Sequence, residues 1–242
     1  MKLSFKQYLE EATSWDNIRR AHPQNVRDRI YAKQEQGNNI PIGSGANAAV
    51  YAKDDPHSLD SVQRVSSKEK RRDLGYHTYA QFLLKYPGLK KNPYLPRIHS
   101  VEHDDDNSVV EYEIERLHPF DDPKISHPDM LWAICNKMFT PQQVKWMKED
   151  VDLEPTQRDP REEHVVLRRA IAEVIAMCIP GGNLDDTIKD PQLKQAINVV
   201  RAVLRHNRGS GVYTDIHSDN IMWRMTGTMP QLVITDPLYQ SN

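Results

Sequence analysis

The chain has 242 residues, a formal net charge of −2, 27% charged and 38% hydrophobic residues. That length suffices for one large domain or two small lobes with a real core, and the mixed charge carries no bulk signature of nucleic-acid binding. Two cysteines, Cys135 and Cys178, both inside apolar helical patterns, exclude a disulfide framework and read as buried thiols in a reducing cytosol.

Taken in chain order, the start Met1–Tyr8 has no apolar core of signal-peptide length. The most apolar segment, 170–180, contains Glu173 and is too short to span a bilayer. The expectation is a soluble, cytoplasmic protein with no membrane partner. Residues 1–38 read as short, charged helices, with apolar stripes at Leu3, Phe5, Tyr8 and Leu9 and at Ile18, Val26 and Ile30. They form an extension to which no chemistry is assigned. From residue 39 the pattern turns to short β runs at 39–42, 48–53, 61–66, 97–102 and 108–115. Between the third and fourth, 68–86 reads as a helix with Tyr79, Phe82, Leu83 and Tyr86 on one side, ended by Pro87-Gly88. His103–Asn107 has the composition of a metal cluster, but its place between two alternating runs makes it a solvated hairpin turn.

Past residue 116 the chain becomes helical. Helices are expected over 126–138, from Thr140-Pro141 to Val151, from Asp159-Pro160 to Ile179, and from Asp190-Pro191 to His206. Three of these open on a polar cap followed by Pro, and Gly181-Gly182 and Gly209 close the last two. The segment 152–162, rich in Asp, Glu, Arg and Pro, reads as a loop.

Two motifs stand out. Ile42-Gly43-Ser44-Gly45-Ala46-Asn47-Ala48-Ala49-Val50-Tyr51 fits the Gly-rich loop G-x-G-x-x-G-x-V, with Ala48 in place of the third glycine. The first two glycines let backbone approach a phosphate closely. Downstream, Asp215 and Asn220 are five residues apart, and a strand-like run, Leu232–Thr235, leads into Asp236-Pro237. Phosphoryl transfer needs a carboxylate to take the acceptor's proton and ligands for a cation that neutralises the phosphates. Asp215, Asn220 and Asp236 can supply all three. The plainer alternative is a polar turn, since Asp-His-Ser-Asp-Asn is also good turn composition.

The two motifs, in this order, make the chain resemble the protein-kinase-like fold. The implied fold class is α+β and bilobal: a five-stranded antiparallel N-lobe with one helix over 39–116, and a compact, mostly helical C-lobe over 117–242. Tyr213-Thr-Asp215-Ile-His217-Ser-Asp219-Asn220 is similar to the catalytic loop of aminoglycoside phosphotransferases. The closest resemblance is to the early Ser/Thr protein kinase of podovirus-type bacteriophages, carried by Gly43–Tyr51, Tyr213–Asn220 and Thr235–Pro237. It implies Asp215 as the base that orients the acceptor hydroxyl, His217 as a loop-shaping hydrogen-bonding residue, and Asn220 and Asp236 as Mg²⁺ ligands. Gly43, Ser44, Gly45, Ala46, Asn47 and Val50 would cover ATP, and Glu115 and Leu117 would flank the adenine hinge. The ATP-anchoring Lys is replaced by Arg64, which keeps the charge but not the shape, with Lys53 as the other candidate.

This chain departs from the family in several places. Tyr79, Ala80 and Gln81 stand where the Glu partner of the anchor is expected, with Glu69 and Asp73 earlier. Pro237 and Leu238 follow Asp236, and only six residues remain after it, so no activation loop is expected. The resemblance implies a Mg·ATP-dependent kinase acting on host proteins in the host cytoplasm. A small-molecule phosphotransferase with an acidic cleft of Glu162, Glu163, Asp185 and Asp186, and a nucleotide-binding pseudokinase or inhibitor, are the alternatives, ahead of an unrelated α+β domain.

Overall fold

In a computed structural model of the chain, the described residues are 43–44, 48–52, 61–67, 74–104, 109–122, 125, 127–153, 160–226 and 229–240. The expectations for 1–42, for Gly45, Ala46, Asn47, Lys53, Glu69 and Asp73, for the hairpin tip at 105–108 and for 154–159 fall outside them. Two compact units emerge, one within Met1–Leu74 and Arg97–Arg116, the other within Gly75–Pro96 and Leu117–Ser241.

The first unit is an antiparallel sheet. Its strands are β1 (Gly43–Ser44), β2 (Ala48–Ala52), β3 (Ser61–Ser67), β4 (Ile98–Asp104) and β5 (Val109–Glu115), in spatial order β1-β2-β3-β5-β4. The β-branched content of β3 and β5 suits a pleated surface, and Val62, Val65, Ile98, Val109, Val110 and Tyr112 are buried in it. Registers run Val50↔Arg64 and Arg64↔Tyr112 across three neighbouring strands. Polar residues of β3 are answered from β5: Ser61 donates to Glu113 at 3.1 Å and Gln63 to Glu111.

The second unit mixes helices with two small sheets. Helix α1 (Leu74–Lys85) buries Tyr76, Tyr79, Ala80 and Leu83. Tyr86, expected on that apolar side, is instead exposed just past the helix, its ring 4.7 Å from that of Phe82. A 3-10 turn at Pro87–Lys91 follows. Beyond β6 (His118–Pro119) come α2 (Pro128–Met138), α3 (Pro141–Leu153), α4 (Pro160–Cys178), the short α5 (Leu184–Thr187) and α6 (Pro191–His206). The starts of α2, α3, α4 and α6 fall at proline, where a missing N–H costs nothing because the first-turn donors have no helical acceptor.

Helix α6 shows how local sequence sets an element. Asp190 caps it by accepting from the amides of Gln192 (2.8 Å) and Leu193 (3.2 Å). Leu193, Ala196, Ile197, Val200 and Val203 recur at helical spacing and are buried. Each Leu, Ile or Val there contributes roughly 1.5–3 kcal/mol relative to exposure. Arg205 and His206 in the last turn complement the helix dipole. Positive φ at Gly209 (89°) and Gly211 (75°) then turns the chain into the next strand. Asp190 also accepts from the Tyr94 hydroxyl at 2.7 Å; burial first, then that hydrogen bond, raises the phenol's pKa.

Both cysteines are buried and unpaired, as expected. Burial pushes the Cys135 thiol up to about 12, which keeps it protonated and inert. No described helix is long and apolar enough to cross a membrane.

Candidate active site

Four strands of the second unit frame the Asp215 segment. They are β7 (Val212–Thr214), β8 (Ile221–Thr226), β9 (Met229–Ile234) and β10 (Leu238–Gln240). β7 pairs with β10, and β8 pairs with β9 and, on its other edge, with β6. Residues 215–220 therefore cross from the β7/β10 pair to the β8/β9 pair, and 235–237 cross back. The two crossings run side by side and are joined by backbone bonds at both ends. The Asp215 amide donates to the Pro237 carbonyl at 2.8 Å. At the other end, the Thr235 amide (2.9 Å) and hydroxyl (3.0 Å) both donate to the Asn220 carbonyl. Asp236 lies between these attachments. Proline at 237 costs the staple nothing, because its carbonyl is the group used.

Within the loop, a 3-10 turn at Ser218–Asn220 begins where the His217 Nδ1 accepts from the Asp219 amide at 3.3 Å. The Asn220 side-chain amide nitrogen donates to the Asp215 carbonyl and faces His217 Nε2 at 3.0 Å. His217 also stands between two carboxylates, with Nε2 3.8 Å from Asp215 and Nδ1 3.7 Å from Asp219. The Asp215 carboxyl is accessible, about 41% exposed.

The buried part of the second unit holds this assembly. Trp223 of β8 is fully buried; its indole donates to the Phe120 carbonyl at 3.2 Å and its ring lies 4.8 Å from that of Phe120. Arg224 is buried, with its guanidinium donating to the carbonyls of Pro93 (2.7 Å) and Leu95 (2.8 Å). The Ile234 amide donates to the Tyr94 carbonyl at 2.9 Å, and the Tyr79 hydroxyl donates to the Ile234 carbonyl at 3.1 Å. Burial, the neighbouring Tyr76 and the negative charge of Asp236 all raise the Tyr79 pKa. The hydroxyl stays a donor, and the end of β9 is fixed two residues before Asp236. Tyr79 thus fastens the Asp236 segment from the helical position where a Glu was expected. Gly75 at the start of α1 allows β10 to pass close: a Cβ there would lie 2.9 Å from the Leu238 carbonyl oxygen.

Mg²⁺ takes hard oxygen ligands, often one or two from the protein with the rest from water and phosphate. The Asp236 carboxylate, whose Oδ1 is buried, and the Asn220 amide oxygen, opposite a nitrogen committed to the loop, fit that donor set. Among the described residues no group of three or more His, Cys, Asp or Glu side chains is arranged to hold a metal.

The nucleotide-binding candidates lie in the first unit, apart from Leu117, which begins a segment of the second. Gly43 and Ser44 are on β1, Val50 is half-buried on β2 and Arg64 half-buried on β3. Arg64 lies 3.5 Å from the Ser66 hydroxyl through Nε. Val62, on the same face as Arg64, and Val65, on the opposite face, are both buried, so both faces of β3 are covered and alternation does not single out one. Glu115 ends β5, buried and accepting the Arg97 amide at 2.8 Å, with Leu117 half-buried beyond it. Asp185 and Asp186, candidates for an acidic cleft, are engaged locally, by Lys194 at 2.6 Å and Asn183 at 2.6 Å.

The roles of Thr235 and Tyr79 in fastening this segment are what sequence reasoning missed. Thr235 entered only as part of the Thr-Asp-Pro segment and Tyr79 as one residue of an apolar helix face; the bonds they make identify their roles.

No protein-family profile and no curated protein matches the chain. Among solved structures it is similar to the PknI kinase domain of Mycobacterium tuberculosis, at 12% identity and a TM-score of 0.32, covering 81% of this chain and 56% of that one. A double mutant of that domain gives 12% and 0.30. The CAK complex from Chaetomium thermophilum bound to ATP-γ-S gives 16% identity and a TM-score of 0.34, covering 88% of this chain and 50% of that one. The chain spans about half the length of these solved chains. Such scores describe a loose likeness, and the functional reading rests on the site's own residues.

Proposed function

We propose that this chain is a Mg·ATP-dependent phosphotransferase of protein-kinase-like, bilobal build, with the five-stranded sheet as the nucleotide-binding lobe and the helical unit as the catalytic one. The observation that carries the reading is the double staple: Asp215 to Pro237 at one end and Asn220 to Thr235 at the other set a base, an amide oxygen and a carboxylate along two adjacent crossings. A mere polar turn needs no such coupling to a second Asp.

In the proposed reaction the acceptor hydroxyl oxygen bonds to the γ-phosphorus, the bond from that phosphorus to the β-phosphate bridging oxygen breaks, and ADP leaves. Asp215 accepts the hydroxyl proton as the new bond forms. His217, beside both Asp215 and Asn220, holds the loop in register. Asn220 and Asp236 would hold Mg²⁺, which supplies neutralisation of phosphate charge. Arg64 takes the place of the phosphate-anchoring Lys, and the β1–β2 segment with Glu115 and Leu117 binds the nucleotide.

Likeness of the Tyr213–Asn220 and Thr235–Pro237 segments to phage early kinases supports protein Ser/Thr hydroxyls, in host proteins, as acceptors. Incubating the purified chain with γ-labelled ATP and Mg²⁺, alone, with a bacterial lysate and with aminoglycosides, tests this. Label on protein Ser/Thr is expected. Label only on the small molecules would reassign the acceptor, and no label anywhere would remove the enzymatic reading.

A further inference from the structure

Two large aromatic side chains stand exposed beside the proposed base, with no place in the chemistry above. Tyr213 on β7 and Tyr239 on β10 are directly opposite in the antiparallel register. They are 51% and 41% exposed, and their ring centroids are 5.7 Å apart with planes inclined at 33°. Thr214 is opposite Leu238, so counting one residue further sets Asp215 opposite Pro237. The Asp215 amide donates to the Pro237 carbonyl at 2.8 Å, as the ladder requires, since bonded pairs recur at every second residue. Proline has no amide to return the bond.

Side chains two apart along a strand share one face. Tyr213, Tyr239 and Asp215 therefore occupy a single row, the ring pair about 6.6–6.8 Å along the ribbon from the carboxylate's residue. The opposite face of the ribbon carries Val212 and Leu238, both buried, so the tyrosine face is the outer one. A cross-strand contact stabilises the ribbon and accounts for the pairing of the rings, but not for their alignment with an accessible carboxyl. Electrostatics select an occupant. The Asp215 and Asp219 carboxylates are both accessible, at 41% and 87%. They repel an anion and attract a cation, and the face of a tyrosine ring attracts a cation too. Spacing selects further, because an extended peptide has the same rise per residue as the ribbon. A hydroxyl held at Asp215 brings the side chain two residues away to the rings.

We propose that Tyr213 and Tyr239 form an acceptor-binding platform. It holds the Lys or Arg side chain of an extended peptide, two residues from the Ser or Thr presented to Asp215. The inference rests on the phosphotransferase reading and deepens it by naming the acceptor's chemistry, a basic segment of protein. Arg should be the better occupant, because its flat guanidinium stacks on a ring.

The test uses the full chain and synthetic seven-residue peptides with one central Ser in a Gly/Ala background. Each carries Arg, Leu or Glu two residues before or after the Ser. Binding is followed without nucleotide through the ring resonances of Tyr213 and Tyr239, and transfer from γ-labelled ATP gives kcat and KM for each peptide. An Arg peptide should shift both rings and bind at least about 5-fold more tightly than its Leu counterpart, with Glu weakest. Added salt should shrink that preference. Tyr213→Leu and Tyr239→Leu keep an apolar cross-strand contact but lose the ring face. Each should raise KM for the Arg peptide about 5-fold or more, with a smaller change in kcat. Tyr213→Phe and Tyr239→Phe should retain the Arg preference, because the ring face survives. The wild-type ring resonances carry the test if a leucine variant fails to fold. Rings unmoved by the Arg peptides, or an Arg preference intact in both leucine variants, overturns the platform. Ring shifts without any transfer would sink the enzymatic reading alone, and transfer with equal KM for Arg and Leu peptides would sink the platform alone.

Discussion

Asp215, Asn220 and Asp236 lie within 22 residues of sequence, and hydrogen bonds between the two crossings they occupy fix their backbone at both ends. Arg64 is placed differently. Its position depends on strand pairing, with Val50 on one side and Tyr112, 48 residues on, at the other. In the first region the geometry of the proposed chemistry is written into short loops and their mutual bonds. In the second it comes from sheet register. The proposed base and metal ligands are thus held by local bonds between two short loops, while the proposed phosphate anchor depends on strand register.

That contrast can be broken or sharpened by substitution. The largest effect is expected at Asp236. Asp236→Asn should abolish the Mg²⁺-dependent part of ATP binding while metal-free binding persists, because a neutral amide is a poor ligand for a hard cation. Titrating ATP with and without Mg²⁺ measures it, and an unchanged metal dependence would mean that Asp236 is structural. At Arg64 the effect should be graded. Arg64→Ala should weaken ATP binding and abolish transfer, and Arg64→Lys should retain part of both, since charge survives and bidentate geometry does not. A wild-type rate for Arg64→Ala would move the anchor to Lys53.

Smaller effects should discriminate by region. Gly75→Ala forces a methyl against the Leu238 carbonyl, an overpacking expected to cost about 1–3 kcal/mol and to loosen β10 and with it the Asp215–Pro237 bond. Denaturant unfolding with exchange at the Asp215 amide would show it; wild-type stability and protection would contradict it. The smallest change is with pH. Burial, then the Arg168 charge, lowers the His164 pKa below 6.5. The unfolded chain therefore binds this proton more readily, so stability should decline as pH falls through 6.5 and level off below the folded pKa. His164→Gln should flatten that slope, and an unaltered slope would assign it to other groups.

How much of this was legible in the sequence follows from the same contrast. The Asp–x4–Asn spacing and the Asp-Pro after a strand run located the loop because its geometry is local. Helix starts at Pro141, Pro160 and Pro191 were legible because proline's missing donor is tolerated only in the first turn, whereas the helix expected from residue 126 begins at Pro128. What stayed hidden depended on distant partners. Tyr79 reads as one more apolar residue until its hydroxyl is found on Ile234, 155 residues away. Arg224, in an otherwise apolar strand, gave no sign that the Pro93 and Leu95 carbonyls would satisfy it. Tyr86 was placed on the buried side by spacing, but the helix ends one residue before it and the chain turns away at Pro87.

The most direct measurement compares transfer from γ-labelled ATP by the wild-type chain and by Asp215→Ala, with ATP affinity determined for both. The account predicts label on protein Ser/Thr with the wild type, a turnover lower by about 10²–10⁴-fold in the variant, and nearly equal ATP affinity, which is the usual worth of a positioned base that does not bind nucleotide. Equal turnover in the two proteins, or a parallel loss of affinity and turnover, would contradict it.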